Sequence, residues 1–285
     1  MSDLGQDSAN GVDAERSQVS GEGWGARLLA LQGDDGNWGG GVYSPKWTST
    51  TYTLLLLRHF GVRPDAPAVV EAIELVRANV VMGKAEHPFF WYVGETCITG
   101  MSLALAAYFL RDDVVPPQVD WLLDEQLEDG GWNCQTVNGS TRSSFNTTIS
   151  VLEGLLEMER AVGGDPLISN ARQRGHEYLL ERRLMRALST GDILDKRWLL
   201  FSFPPRWHYD LLRGLDYLRE SGDTPDVRCE EAIELVESKR RPDGTWPLQN
   251  RHPGREHFTM EEGSGKPSRW NTLRALRVLR WHRGD

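Results

Sequence analysis

A short phrase that ends in Asp-Gly-x-Trp occurs three times in this chain and constrains the fold more than any other feature. The copies read LLALQGDDGNW at residues 28–38, LLDEQLEDGGW at 122–132 and VESKRRPDGTW at 236–246. Recurrence of a phrase at intervals of tens of residues is typical of arrays built from one supersecondary unit. The repeat therefore has to be interpreted before any single residue.

The sequence between the copies is helical in pattern. Apolar residues recur every three or four positions, as in EAIELVRANVV and ISVLEGLLEM, and strand-like alternation is nearly absent. Aligned on its loops, the chain divides into five helix–loop–helix units of about 45 to 60 residues. The first helices are predicted near residues 22–33, 67–82, 117–127, 169–186 and 227–239, and the second helices begin near 48, 94, 144, 207 and 269.

Composition excludes several classes of protein. The chain has 285 residues, 39% of them hydrophobic, and its net charge of -9 comes with no concentrated run of Lys and Arg, so nucleic acid is not an expected partner. Three cysteines in no paired pattern argue against a disulfide framework. No apolar run approaches the roughly 20 residues of a membrane span. We therefore expect a cytoplasmic protein without an integral membrane segment.

The N-terminal segment differs from the rest of the chain. MSDLGQDSANGVDAERSQVSGEG is polar, rich in small residues, and lacks the basic and apolar regions of a signal peptide. Such a composition predicts a disordered tail over residues 1–20. Because the repeat continues through the remainder, we predict a single domain over residues 21–285.

The repeated phrase has a physical interpretation as a staple between hairpins. Asp-Gly at a helix end supplies a stop and a turn, because glycine adopts positive φ without strain. The preceding glutamines, Gln32 and Gln126, can reach backbone groups of a neighbouring hairpin. The tryptophan adds a large flat surface with one N–H donor. We interpret the phrase as structural rather than catalytic.

The pattern of Gln, two residues, Asp-Gly, one residue and Trp resembles the QW repeat of squalene and oxidosqualene cyclases, which is related to repeats in the β subunits of protein prenyltransferases. The resemblance covers roughly residues 22–282, and the third copy departs from it with Arg240 in place of Gln. It implies an all-α fold, an (α/α) toroid of about five to six helical hairpins. In such a toroid the second helices form an inner ring, and their first turns face a central apolar cavity.

The resemblance can be tested against the acid motif of class II terpene cyclases, Asp-x-Asp-Asp followed by Thr at an inner-helix start. On YVGETC the positions become Tyr92, Val93, Gly94 and Glu95, and Thr96 matches the Thr. The central proton-donating Asp is thus replaced by Gly94. Glu95 is the remaining acid, and we predict it as the candidate general acid because neighbours and burial can tune a carboxylic acid.

The resemblance also allows a comparison with the zinc site of protein prenyltransferases. That site consists of Asp-x-Cys at one inner-helix start and His at the next. Glu95 and Cys97 match the first pair with a change of acid, and Asn146 falls at the position of the His. An amide is a poor zinc ligand, and catalytic zinc sites use three protein ligands. The sequence therefore predicts no metal and no other cofactor, and Cys97 is interpreted as a small pocket residue.

Further candidates lie near the later inner-helix starts. His208 and Asp210 in RWHYD are predicted to assist acid–base chemistry, although two-residue spacing does not place them on one helix face. A hydrogen-bonded histidine at a helix start is the alternative. The long polar loop at residues 248–270 is predicted to be a lid over the cavity mouth.

Aromatic and polar side chains gather at the same helix starts, where capping alone explains Ser and Thr but not Trp, His and Arg. This mixture favours a pocket for a small apolar molecule, and isoprenoids are among the candidates because aromatic walls stabilise cations. The predicted substrate-binding residues, with Cys97, are Trp47, Trp91, Tyr92, Phe145, Asn146, Trp207, Arg269, Trp270 and Asn271.

Three functions remain open from the sequence. The first is a terpene-cyclase-like enzyme, an isomerase or lyase, acting on an isoprenoid or another apolar substrate. The second is a hydrolase or lyase on the same toroid, in which His208 acts with Asp210 or Glu95 in acid–base chemistry. The third is a non-catalytic ligand-binding or scaffold protein, because fold alone does not decide function.

Overall fold

A computed structural model describes residues 9–110 and 117–284 of the chain. The fold is all-α, as the sequence predicts, and the described strands form two-residue antiparallel pairs. The helices, in chain order, are α1 Ala9–Gln18, α2 Gly23–Leu29, α3 Thr50–His59, α4 Pro67–Asn79, α5 Thr96–Leu110, α6 Pro117–Asp124, α7 Phe145–Val162, α8 Pro166–Glu181, α9 Leu211–Glu220, α10 Glu230–Ser238 and α11 Arg269–Arg283. The strands are β1 Val81–Met82, β2 His87–Pro88, β3 Trp246–Pro247 and β4 Pro267–Ser268.

The helices follow the predicted hairpins closely. The first helices α2, α4, α6, α8 and α10 each overlap their predicted range, and four of the second helices, α3, α5, α7 and α11, begin within two residues of the predicted starts. The exception is α9, which begins at Leu211 because the turn from Phe203 to Asp210 is irregular and Arg206 adopts a φ of 62°. The second helices carry the core, and α5 is buried along nearly its whole length.

In the first and third copies the tryptophan joins the two helices of its own hairpin. The indole N–H of Trp38 donates to the Leu28 carbonyl at 2.7 Å, and that of Trp246 donates to the Val236 carbonyl at 2.7 Å. The tryptophan backbone N–H then donates to a threonine in the first turn of the second helix in all three copies. These pairs are Trp38 with Thr50, Trp132 with Thr148 and Trp246 with Thr272, at 3.1, 3.0 and 2.9 Å.

The turn of the first copy also docks onto the next hairpin. The Gln32 amide donates to the Gly36 carbonyl at 3.0 Å and to the Ala72 carbonyl of α4 at 2.9 Å. Gly36 lies so close to α4 that a Cβ there would come within 2.6 Å of the Leu75 carbonyl oxygen. In the second copy a Cβ on Gly130 would come within 2.4 Å of the Arg174 carbonyl oxygen of α8. The staple therefore acts both within and between hairpins.

The third copy is different. Gly244 keeps a positive φ of 82°, but the neighbour that a Cβ would meet there is the side chain of Arg240, at 3.6 Å. The Arg240 guanidinium also lies over the Trp246 ring, 5.5 Å from its centroid. Arg240 stands where the other two copies have glutamine, and its side chain covers the turn. In the other copies the backbone of another helix packs against this turn.

The chain divides into two compact units. Unit 1 comprises the described residues of Met1–Gln126, Ser150–Asn170 and Gly254–His257. Unit 2 comprises Leu127–Ile149, Ala171–Pro253 and the described residues of Phe258–Asp285. The prediction of a single domain over residues 21–285 stays a prediction.

Two close contacts characterise the helix packing inside the units. In unit 1, α5 and α7 cross at glycines, because a Cβ on Gly154 would lie 2.4 Å from the Gly100 carbonyl oxygen. In unit 2, Arg274 of α11 donates to Asp216 of α9 at 3.2 Å and to the Ser202 carbonyl at 3.2 Å. The glycine crossing is buried and depends on shape, while the contacts of Arg274 are buried or partly buried and depend on hydrogen bonding.

The predicted disordered tail contains a helix, α1, while residues 1–8 lie outside the described residues. Arg16 of α1 donates to the Gly61 carbonyl at 2.9 Å and to the Tyr108 hydroxyl at 3.3 Å. Asp13 pairs with Arg63 at 2.9 Å. Composition does not reveal these contacts, because they depend on partners from distant parts of the chain.

Within residues 9–110 and 117–284, the structure contains no helix with the length and apolar character needed to cross a membrane.

Candidate functional site

The predicted acid Glu95 lies in unit 1 on the turn that leads into α5. Its side chain is exposed, and its Oε1 accepts a hydrogen bond from the Cys97 thiol at 3.5 Å. Cys97 itself is buried, as is Thr96 before it. The structure therefore brings together the two atoms that the sequence aligns with the first zinc-ligand pair, a carboxylate oxygen and a sulfur.

The backbone of this turn is held by two side-chain hydroxyls. The Glu95 N–H donates to the Tyr92 hydroxyl at 3.1 Å, and the Gly94 N–H donates to the Thr99 hydroxyl at 3.1 Å. The Thr99 hydroxyl also donates to the Glu95 carbonyl at 3.2 Å. The backbone from which the Glu95 side chain projects therefore has its hydrogen-bonding groups satisfied within the turn.

The structure explains why glycine stands at position 94, which the comparison of motifs does not reveal. A Cβ at this position would lie 2.4 Å from the Tyr92 hydroxyl oxygen and 2.7 Å from its Cζ. Any larger residue, the aspartate of the cyclase motif included, would collide with the phenol. Tyr92 and Gly94, which both differ from the cyclase motif, are therefore linked. The Tyr92 phenol fills the space that a side chain at position 94 would occupy.

The two predicted tryptophans of unit 1 differ in accessibility. Trp47 is buried and meets Tyr52 edge to face, with centroids 4.9 Å apart. Trp91 is half-buried, and the Arg77 guanidinium lies 5.9 Å from its ring centroid. Trp91 thus already has a cation on its ring, and it lies in the 3-10 turn Phe89–Trp91, close in sequence to Glu95.

Part of the predicted lid packs on unit 1. A Cβ on Gly254 would come within 2.4 Å of the Trp47 indole nitrogen, and the His257 Nε2 lies 2.9 Å from the Thr53 hydroxyl of α3. The segment Gly254–His257 therefore covers Trp47. A role as a moving lid stays a prediction.

Asp210, a predicted catalytic residue of unit 2, is a buried N-cap. Its carboxylate accepts hydrogen bonds from the Arg213 N–H at 2.9 Å, the Ser202 N–H at 3.1 Å and the Ser202 hydroxyl at 2.6 Å. An aspartate that caps a helix and holds a neighbouring strand of chain in this way has a structural role. Asp210 is poorly placed for acid–base work on a substrate, because the residue is 2% exposed and its carboxylate already accepts these hydrogen bonds.

His208 lies in a stack of three rings. The Trp207 and His208 centroids are 3.8 Å apart, and those of His208 and His252 are 3.9 Å apart with the planes nearly parallel. Burial, together with the charges of Arg206 and Arg213, lowers the pKa of His252 to about 4. His252 is therefore neutral near neutral pH.

The remaining predicted residues of unit 2 are mostly structural in this structure. Phe145 packs in a core cluster with Tyr178, Trp198 and Tyr209, and the Asn146 amide oxygen accepts the Tyr209 N–H at 2.7 Å. Asn146, placed by the sequence at the third zinc position, thus holds the segment before α9.

At the start of α11 the three predicted residues have different surroundings. Trp270 stacks on Phe203 at 4.5 Å, and Arg269 is exposed and donates to the Met260 carbonyl. Asn271 is fully buried, and its amide donates to the Pro247 carbonyl at 3.1 Å. Burial removes Asn271 from the surface that a ligand would reach.

A cavity of about 190 Å³ in unit 2 was not predicted. On its wall the His176 Nδ1 lies 3.0 Å from Asp223 and the Nε2 lies 2.7 Å from the Tyr217 hydroxyl. The hydrogen bond with His176 is the main cause of the lowered pKa of Asp223, while burial raises the pKa of the Cys229 thiol to about 12. Such a thiol is a poor nucleophile. The sequence signal was weak, because His176 lies on an amphipathic helix like an ordinary core residue.

Comparison of the chain with protein-family models and with curated proteins yields no match. The resemblance to the squalene cyclase and prenyltransferase repeats therefore rests on the three copies of the phrase and on the turn at Glu95.

Proposed function

We propose that the protein is a cytoplasmic terpene-cyclase-like enzyme, of isomerase or lyase type, that acts on an isoprenoid or similar apolar molecule with Glu95 as general acid. The observation that carries the proposal is the turn before α5. It presents the exposed carboxyl group of Glu95 on a backbone held by the Tyr92 and Thr99 hydroxyls. The half-buried Trp91 precedes it in the chain.

The exposure of Glu95 is compatible with acid catalysis of an apolar substrate. An apolar molecule that covers a carboxyl group removes water from it, and burial disfavours the ionised form of a carboxylic acid. Transfer of the Glu95 proton to a carbon–carbon double bond creates a carbocation, which aromatic rings stabilise, and loss of a proton from a neighbouring carbon to water then gives the neutral product. The resulting carboxylate recovers a proton from solvent once product leaves.

The proposal assigns no catalytic role to Asp210, because its carboxylate already caps α9 and holds Ser202. The supporting role in acid–base chemistry predicted for His208, which lies in unit 2, stays a prediction. The His208 ring is held between Trp207 and His252, so its position is fixed by stacking.

Solvent deuterium tests the acid. The purified protein is incubated in deuterated buffer with C10 to C20 isoprenoid hydrocarbons and alcohols, and products are analysed by mass spectrometry. A proton from Glu95 exchanges with solvent, so turnover places one deuterium in the product. We expect Glu95→Gln to lower this incorporation by at least about 10²-fold, the usual contribution of a general acid. Glu71→Gln, at an exposed position of α4, is the matched control and should behave as wild type.

The second candidate function is non-catalytic binding of an apolar ligand, and the capping role of Asp210 favours it. Wild-type protein that binds isoprenoids, detected by thermal stabilisation, yet incorporates no deuterium supports this candidate and contradicts the first. Equal incorporation by wild type and Glu95→Gln removes Glu95 from the mechanism.

A further inference from the structure

The Tyr92 ring is held on three sides. A Cβ on Gly83, in the turn between β1 and β2, would come within 3.1 Å of the Tyr92 Cε2. His87 of β2 meets the ring edge to face, with centroids 6.1 Å apart. Gly94 lies against the hydroxyl end, where a Cβ would be 2.4 Å from the oxygen. The phenol is therefore fixed in place before any ligand arrives.

The hydroxyl group of Tyr92 can both accept and donate a hydrogen bond, and within the protein it acts as an acceptor. Its oxygen accepts the Glu95 N–H at 3.1 Å. Across residues 9–110 and 117–284, no protein acceptor receives the hydroxyl hydrogen of Tyr92. Because the residue is half-buried rather than fully buried, this donor remains within reach of a ligand.

The position of this donor follows from the motif comparison. The phenol fills the space that a side chain at position 94 would occupy, next to the backbone of Glu95. A turn with this tyrosine therefore offers two different groups to a ligand, the neutral hydroxyl of Tyr92 and the carboxyl group of Glu95.

From this geometry we propose that Tyr92 is a substrate-binding hydrogen-bond donor, and that the ligand of this site is an apolar molecule bearing one oxygen acceptor, a hydroxyl or a carbonyl group. The inference rests on the proposed function, since it concerns the same site. The hydroxyl of Tyr92 donates to the ligand oxygen while the hydrocarbon part lies beside Trp91. A plain hydrocarbon would leave the fixed donor unmatched, so the site discriminates between the two ligand types.

Binding of three probes to wild type and Tyr92→Phe tests the inference. The probes are a C15 isoprenoid alcohol, the ketone of matching length and the matching hydrocarbon, and dissociation constants are measured by quenching of tryptophan fluorescence. We expect wild type to bind the oxygenated probes about tenfold more tightly than the hydrocarbon, the size of one neutral hydrogen bond. In Tyr92→Phe this preference disappears, while the affinity for the hydrocarbon is unchanged.

A purely structural role of the Tyr92 hydroxyl would have another signature. Loss of its bond to the Glu95 N–H would loosen the turn and weaken all three probes alike. Tyr108→Phe is the matched control, because it removes a phenol hydroxyl that donates to the Val62 carbonyl, and it should retain the oxygen preference.

The outcomes separate the two proposals. If the hydrocarbon binds and Tyr92→Phe keeps the oxygen preference, or wild type shows none, the inference about Tyr92 is wrong and the proposed function stands. If none of the probes binds wild type, the proposed function fails and the inference fails with it.

Discussion

At the scale of single residues, the glycine of the Asp-Gly-x-Trp turn meets two requirements at once. Gly36 adopts a φ of 80°, and its Cα lies against the backbone of α4 at Leu75. Gly130 combines a φ of 90° with the same close approach to Arg174 in α8. Positive φ alone favours glycine for a conformational reason, whereas the close approach excludes every side chain.

Alanine substitutions separate these two requirements. Gly40 also has a positive φ, 77°, but nothing lies within 4 Å of a Cβ placed there. We expect Gly40→Ala to cost about 1 kcal/mol of unfolding free energy through the left-handed conformation. Gly36→Ala should cost ~1–3 kcal/mol more, through the collision with the Leu75 carbonyl. Urea denaturation measures both, and equal losses would show that the docking contact contributes nothing.

Residue type alone does not assign a role at this scale. Asp210 and Glu95 are both acids near the start of a second helix. Asp210 is buried and accepts three hydrogen bonds, whereas Glu95 is exposed and accepts from the Cys97 thiol. Their surroundings, which come from the folded chain, distinguish a cap from a candidate acid.

At the scale of elements, the helices of unit 1 approach closely where two glycines meet. Gly100 of α5 and Gly154 of α7 let the backbones touch, and a Cβ on Gly100 would itself lie 2.8 Å from the Ser150 carbonyl oxygen. Small residues at a crossing allow backbone contact that a leucine or even an alanine would prevent. The start of α5, which carries the candidate site, is therefore anchored through its buried helix body.

Gly154→Ala tests this crossing, because the two physical effects of the substitution change the free energy of unfolding in opposite directions. Helix propensity alone predicts stabilisation by about 1 kcal/mol, because alanine is the better helix former. The collision with the Gly100 carbonyl predicts instead a loss of ~1–3 kcal/mol. We expect the loss, measured as a lower midpoint of urea unfolding. A stabilised variant would mean that α5 and α7 separate easily at this point.

At the scale of the whole molecule, the pH dependence of stability includes a contribution from one buried histidine. Free histidine has a pKa of about 6.5, and burial together with the charges of Arg206 and Arg213 lowers that of His252 to about 4. Between these values the unfolded chain binds more protons than the folded chain. Stability is therefore lost as the pH falls from about 6.5 towards about 4.

Removal of this group should flatten the acid side of the stability profile. We expect His252→Gln to lose less unfolding free energy than wild type between about pH 7 and about pH 5, because glutamine takes up no proton on unfolding. His59→Gln, at an exposed position of α3, serves as control and should follow wild type. Parallel profiles for wild type and His252→Gln would contradict the low pKa of His252.

The sequence predicted the hairpins well, whereas the surroundings of the candidate site residues could not be predicted from it. Helix bounds depend on local apolar spacing and on glycine and proline signals, and these are readable from neighbouring residues. The role of Tyr92 depends on Gly83 and His87 beyond the turn, and the cap at Asp210 depends on Ser202. Such partners are chosen by packing, which no local pattern specifies.

The repeated phrase illustrates what the sequence determines by itself and what the tertiary structure adds. Its residues by themselves determined an all-α chain of hairpins, a glycine turn after each of three first helices, and a tryptophan able to bridge. The tertiary structure alone decided that Gln32 bonds to α4, that Arg240 covers the third turn, and that the Tyr92 phenol occupies the space beside Gly94. Turn and helix formation follow from short-range backbone sterics, whereas the identity of a partner is set by which distant segments share a packed interior.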